Sequence, residues 1–512
     1  MDTPIHFFVS CALDAGLIEH RIGFPEYSYF FVLEDFIPLL ERIGKVTRLA
    51  DPKNELARHV QSAHEAGERP LFLNFTAPHN LIEPVACPTA HVFAWEFNTI
   101  PTDSWAQDGL QDWRLALRAH KCAITHSTYA RDAITAAMGE DFPVAVAPCP
   151  VWDRYDDERR AINDRTPIKS TTLFFEGRVF DTRQIEFFVE YDVDRLKRER
   201  EEADLLQSSV SDAYQRGQDA SLNGTTDEAN SAKRSLKDLM RDLAPPILWR
   251  ALSALRTNHN SAGEADVSDG TDGAGSSDHK PSATSDAQID SSPQRLNAAH
   301  LEGVVYTSIF NPLDGRKNWR DMVSAFIWAH KKNADATLII KAPNLDEADF
   351  IVPLTDFMKR FLPFDCRVLV LKGFLDNEKY RTLLDATSFY VNTSFGEGQC
   401  LPLMEYLSAG VPAIAPATTA LGDYMTPEMS FVVEAHAEPS AWQHDPRLSY
   451  RALRYRVDWL GLVEAFEKSY NLAKSDVEGW RALGRAAAQR LEGHASLAVA
   501  EKRMRAFLSE VA

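Results

Sequence analysis

The chain has 512 residues, 45% of them hydrophobic and 25% charged, which is enough for two or three globular domains. Lys and Arg total 55 against 74 Asp and Glu, a formal net charge of −19, so no nucleic-acid partner is expected to be held by general electrostatics. Six scattered cysteines without a CxxC pair read as reduced thiols, not as a disulfide frame or a zinc site. No apolar run approaches the roughly 18 residues of a membrane span, and the N-terminal MDTPIHFFVSCALDAG has no basic start. The expectation is a cytoplasmic protein, with any membrane contact peripheral and on the inner face.

Strand and helix alternate along the first 150 residues. Ile5 to Ser10, Pro70 to Phe75, His91 to Trp95, Lys121 to Thr125 and Pro143 to Ala147 read as strands. Tyr27 to Ile43, Glu55 to His64, Ser104 to Ala119 and Ala130 to Met138 read as helices. This alternation predicts a doubly wound parallel sheet. Two of its strands run into polar segments, HVFAWEFNTIP with Glu96 (and Trp105 after it), and ITHSTYARD with Ser127. Ser127 reads equally as a helix N-cap and as a ligand contact, and Glu96 as a functional carboxylate or a turn cap.

The pattern loosens after Pro150. The apolar runs LFFEGRVF and IEFFVEY between Thr171 and Tyr191 have no clear place, and Asp192 to Leu243 reads as a charged, solvated helix. Leu248, Ala251, Leu252 and Leu255 fall on one face of ILWRALSALR, which suits a membrane-surface foot or a helix packed on its own protein. Thr257 to Gln294 is rich in Ser, Asp, Gly and Ala and reads as a disordered linker. The expected division is 1–165, a first α/β domain; 166–256, a charged helical insert; 257–298, an acidic linker; 299–440, a second α/β domain; and 441–512, C-terminal helices.

In the second domain Val304 to Phe310, Thr337 to Lys341, Arg367 to Leu371 and Ser388 to Val391 read as strands. The loop after the first holds two adjacent cations, Arg316 and Lys317, placed to stabilise a leaving group that gains negative charge. Lys341 ends its strand on the same edge. The strand at Ser388 to Val391 runs into a turn with Gly396, Glu397 and Gly398. A helix from Leu401 to Ala409 follows and stops at Gly410. Backbone N–H groups of Gln399, Cys400 and Leu401 at that helix start suit a diphosphate. Glu397 in the turn and Glu405 eight residues on would grip hydroxyls at opposite ends of a nucleotide-sugar. From Ser449 onward the chain reads as mostly helical.

Glu397 and Glu405, with Pro402 and the ending SAGVPAIAP, resemble the paired-glutamate signature of retaining GT-B glycosyltransferases of family four, of the bacterial polysaccharide type. ALGDYMTP from Ala420 to Pro427, the HVFAWEFNTIP segment and ITHSTYARD are similar to further segments of that family. The resemblance does not cover 165–298. It implies two Rossmann-like domains facing a cleft, with the last helix crossing back to the first domain. It also implies transfer of a hexose-type sugar from a nucleotide diphosphate sugar to a saccharide or lipid-linked hydroxyl acceptor. Lys317 and Arg316 would hold the diphosphate, Glu397 the donor sugar, Glu405 the ribose, and Glu96 would lie on the acceptor side. The family's arginine commonly sits several residues before its lysine; here the two are neighbours. No side chain stands out as a double-displacement nucleophile, which fits the family mechanism in which the donor phosphate helps deprotonate the acceptor. No Asp-x-Asp loop is apparent, so neither a metal nor another cofactor is expected. A GT-B epimerase or phosphorylase, or a silent scaffold acting through the insert, are the alternatives.

Overall fold

The computed structural model describes residues 3–11, 27–80, 87–104, 111–184, 296–343, 348–442 and 445–511. The readings made for Trp105, for IEFFVEY, for 192–243, for ILWRALSALR and for 257–294 lie outside them.

The first domain runs β1 (Ile5–Cys11), α1 (Tyr27–Glu41), β2 (Lys45–Arg48), α2 (Pro52–Glu65), β3 (Arg69–Phe75), β4 (Thr89–Phe93), α3 (Trp113–His120), β5 (Ala123–Thr125), α4 (Thr128–Met138) and β6 (Val144–Val146). Its sheet has the order β2-β1-β3-β4-β5-β6, with every pairing parallel. Central strands such as FFV in β1 and LFLNF in β3 are buried on both faces, as parallel sheets require. Two expectations shift here. Lys45–Arg48 is an edge strand the reading passed over, because KVTR has no apolar run and pairs with β1 alone. The helix read from Ser104 covers only Trp113–His120 among the described residues, capped by Asp112 and closed by Lys121 at φ 66.

A short helix, α5 (Asp156–Arg160), leads to the second domain. That domain comprises β7 (Ile168–Asp181), β8 (Leu296–Ile309), α6 (Trp319–His330), β9 (Ala336–Ala342), α7 (Ile351–Lys359), β10 (Arg367–Gly373), α8 (Asn377–Ala386), β11 (Phe389–Val391), α9 (Leu401–Ser408), β12 (Ala413–Pro416) and β13 (Ser430–Val433). The parallel strands pair in the order β13-β12-β11-β8-β9-β10. That is a doubly wound sheet whose winding reverses between β8 and β11, so the loops after those two strands meet at the carboxyl edge.

Ile168–Asp181 corrects the expected helical insert. It is a strand, antiparallel to β8 along its first half and to β10 along its second. Buried Leu173 and Phe175 alternate with exposed Phe174 and Glu176, and its end is held by Asp181, which accepts from Arg367 Nε at 3.0 Å and Nη2 at 2.6 Å. Residues 296–298, read as the end of the linker, belong to β8.

The chain then forms a hairpin, β14 (Ala435–Ala441) with β15 (Tyr450–Val457), and three helices, α10 (Trp459–Ser475), α11 (Val477–Ala495) and α12 (Leu497–Glu510). The reading of helix from Ser449 is therefore corrected over 450–457, where arginines at 451, 454 and 456 interrupt any helical apolar stripe. The last helix does return to the first domain. Met504, Phe507 and Leu508 share one apolar cluster with Leu33, Phe36 and Ala145, and Arg505 Nη2 donates to the Arg42 carbonyl at 2.9 Å. The expected fold class, two doubly wound α/β domains, is the observed one.

Candidate functional site

Glu397 is the centre of the site. It lies in the non-helical turn between β11 and α9 and is 3% exposed. The turn holds its shape because Asn392 Oδ1 accepts from Ser394 N at 2.9 Å, while Thr419 Oγ1 accepts from Glu397 N at 3.0 Å. A glycine is required at 398: a Cβ there would lie 2.7 Å from Ala94 Cβ and 3.0 Å from Trp95 N of the first domain. Helix α9 follows Cys400, its N-cap residue at φ 65, which provides no side-chain cap. It shares this with α2, α6 and α7, whereas Asp112, Ser127, Asp376, Asp458, Asp476 and Ser496 cap α3, α4, α8, α10, α11 and α12. The helix closes on Gly410 at φ 79, with Val411 N donating to Tyr406 O and Gly410 N to Leu407 O, the paired bonds of a Schellman end.

Four donors converge on the Glu397 carboxylate. Lys317 Nζ at 2.7 Å, Asn392 Nδ2 at 3.0 Å and Ser394 Oγ at 2.6 Å reach Oε1, and Arg316 Nη1 at 2.6 Å reaches Oε2. Burial opposes ionisation, but Lys317 and Arg316 outweigh it and hold the carboxyl well below the usual range. Arg316 also donates to the Gly396 carbonyl at 2.9 Å and pairs with Asp314 Oδ2 at 2.9 Å. Burial disfavours the Arg316 charge, and Glu397 and Asp314 more than restore it. Arg316 is thus held on Glu397 as closely as Lys317.

Glu96 reaches this cluster from the first domain, its Oε1 3.4 Å from Arg316 Nε. Burial pushes its carboxyl up, with Arg316 pulling the other way. The pairing brings Glu96 beside the Arg316–Glu397 cluster. Ser127, by contrast, is an N-cap that accepts from Ala130 N at 3.2 Å.

Glu405 forms a separate cluster. Its two oxygens accept from Arg154 and from the Tyr380 hydroxyl, and Arg154 Nη1 also reaches Asp35 Oδ1 at 3.0 Å. Burial lifts the Asp35 carboxyl to about 6 even though Arg154 opposes it. Gln399 faces the first domain, its Oε1 accepting from Cys149 N at 3.0 Å. The Cys400 thiol takes a contact from Asn392 Nδ2 at 3.2 Å, and burial pushes its pKa up to about 12, away from the thiolate form. Lys341 ends β9, beside β8. Its ammonium donates to the Ala342 carbonyl at 3.1 Å and has no carboxylate partner among the described residues; desolvation alone pulls its pKa down to about 8.

Sequence reasoning missed Asp314, Asn392, Ser394, Arg154 and Tyr380. The first three lie within five residues of a predicted site residue, and their short polar side chains in turns are a usable signal. Arg154 and Tyr380 are far from Glu405 in sequence and carry none.

No protein-family model and no curated protein sequence matches the chain. Solved structures with a similar backbone include Anabaena HepE in complex with UDP and glucose, at 12% identity over 99% of this chain and 100% of that one, TM-score 0.47. They also include sucrose-phosphate synthase from Thermosynechococcus elongatus, at 12% identity over 99% of each chain, TM-score 0.46. A third is the N-terminal domain of Candida albicans trehalose-6-phosphate phosphatase, at 8% identity over 99% and 97%, TM-score 0.47.

Proposed function

We propose that this site binds a nucleotide diphosphate sugar and transfers its sugar to a hydroxyl acceptor, with retention of configuration. The observation that carries the reading is the pair Arg316 and Lys317, both on the buried Glu397 carboxylate, at the winding reversal of the second sheet beside an uncapped helix N-terminus. A diphosphate there meets two cations and the helix-end N–H groups of Gln399 to Leu401. As the bond to the sugar breaks, negative charge builds on the phosphate oxygen. Fixed cations in a site shielded from water stabilise it at no reorganisation cost. Lys341, an ammonium without a carboxylate partner among the described residues, adds to the same edge.

Glu397 then orients the donor sugar through its hydroxyls, and Glu96 faces the reacting centre from the acceptor side. Glu405, already fixed by Arg154 and Tyr380, takes the ribose hydroxyls as a positioning residue. The acceptor proton passes to the departing phosphate on the same face, since no side chain of the cluster is a free nucleophile. A hexose-type sugar and a saccharide or lipid-linked acceptor complete the reading. The positive charge comes from the chain's own residues, so turnover is expected to survive treatment with a chelator.

The test incubates the protein with UDP-, GDP- and ADP-linked hexoses and a set of hydroxyl acceptors. Free nucleoside diphosphate should appear with a glycoside of the donor's own anomeric form, read by NMR. Glu397→Ala and Lys317→Ala should each lower the rate about a hundredfold, the size of a lost electrostatic contact to the transition state. Inversion of the anomer overturns the retaining mechanism, and undiminished turnover in both variants overturns the site.

A further inference from the structure

Glu96 and Glu397 belong to different domains, yet both touch Arg316. The hairpin β14–β15 lies against both of the loops that carry them. Leu453 stands opposite Pro439 and Tyr455 opposite Ala437. Residues two apart on a strand send their N–H groups out of the same edge, about 7 Å apart. One of these, Leu453 N, donates to Asn98 Oδ1 of the first domain at 2.8 Å. The next, Tyr455 N, donates to the Phe395 carbonyl of the second at 2.7 Å. Asn98 lies two residues after Glu96, and Phe395 two residues before Glu397. Phe395 N in turn donates to the Arg316 carbonyl at 2.7 Å, which ties the basic loop to the same edge.

The hairpin is anchored on both sides. Thr99 Oγ1 donates to the Arg451 carbonyl at 2.7 Å, and the Thr99 carbonyl accepts from two indoles, Trp95 Nε1 at 2.8 Å and Trp442 Nε1 at 3.2 Å. Trp442 is 2% exposed and packs in an apolar cluster with Phe93, Trp95, Phe97 and Trp113 of the first domain. On the other side Arg456 reaches both oxygens of Asp321, in the first turn of α6, at 3.1 Å.

We propose that the β15 edge acts as a spacer: it sets the separation of the acceptor-side Glu96 from the donor-side Glu397, and Asn98 and Thr99 are positioning residues for the transfer. This rests on the donor-site reading above, and its test separates the two. Asn98→Ala/Thr99→Val removes both side-chain ties; Asn98→Asp/Thr99→Ser keeps an acceptor for Leu453 N and a hydroxyl for Arg451 O. Amide hydrogen exchange on the full chain should speed up at least tenfold in the first variant, in the segments 95–99 and 394–398 alike, and return towards wild type in the second. Calorimetry with UDP and GDP should give Kd values within twofold of wild type in both variants. Release of nucleotide from UDP- and GDP-linked hexoses should fall at least tenfold in kcat in the first variant only. Faster exchange confined to 95–99, or a conservative variant as impaired as the first, overturns the spacer. If the wild type binds neither nucleotide, the donor-site reading fails, and the exchange arm alone decides whether the spacer stands.

Discussion

At Glu397 two cations and two neutral donors converge on one buried carboxylate, and the pair is worth most when intact. Removing one partner of a buried pair costs about 3–5 kcal/mol because the other charge is left uncompensated. Glu397→Gln is therefore expected to lower the denaturation midpoint in urea markedly, while Lys317→Met, with Arg316 still in place, lowers it less; equal midpoints for wild type and Glu397→Gln would contradict the electrostatics described here. Glu397 has a depressed pKa, so its stabilisation is present above the unfolded value near 4 and is lost only in strong acid. Asp35 has the opposite sign. Its carboxyl is raised to about 6 in the folded chain, so the folded state holds the proton more tightly. Stability is then greatest below the unfolded pKa and falls as pH rises from about 4 to about 6, by about 3 kcal/mol at most. Urea midpoints measured at pH 4, 5, 6 and 7 should show that slope, and Asp35→Asn should flatten it. The identities of Glu397, Lys317, Arg316 and Glu96 were legible in the sequence because each follows a clear strand. The Arg154 and Tyr380 partners of Glu405 were not, since they meet it only through the tertiary fold.

The elements that position the site divide in the same way. The turn from Asn392 to Cys400 was legible as a non-helical loop, since two glycines and a polar run interrupt the apolar pattern. Gly398→Ala tests its packing. The added methyl meets Ala94 Cβ at 2.7 Å and main-chain Trp95 N at 3.0 Å, so the turn must move. Binding of UDP or GDP is expected to weaken about tenfold, or 1.4 kcal/mol, with the far-ultraviolet circular dichroism unchanged; unaltered affinity would mean that the turn does not need this close approach. The hairpin was illegible. YRALRYRV has no clean apolar alternation, and the Trp459 helix that follows it draws the reading forward. Its ladder is formed with β14 just upstream, and its outer edge is held by partners distant in sequence, Asn98 among them. The strand β7 was missed for a similar reason: its pairing with β8 joins residues separated by more than a hundred positions of polar chain.

Across the whole molecule, the two domains are joined by the returning helices as well as by the hairpin. Phe507 on α12 is 4% exposed and packs in one cluster with α1, β6 and α11. Phe507→Ala is expected to cost about 3–5 kcal/mol, seen as a lower thermal midpoint. Trp152 Nε1 donates to the Ala488 carbonyl at 2.7 Å, with the Arg159 guanidinium 3.5 Å over its ring, so the crossing between domains is also pinned to α11. Everything these contacts hold in place serves one claim, that a nucleoside diphosphate binds between the Arg316–Lys317 loop and the start of α9. The most direct measurement is thermal unfolding of the wild type and of Lys317→Ala against UDP, GDP and ADP. At a hundred times its dissociation constant, one of them should stabilise the wild type by about 2.7 kcal/mol and leave Lys317→Ala nearly unmoved. No shift with any of the three, or an equal shift in the variant, would contradict it.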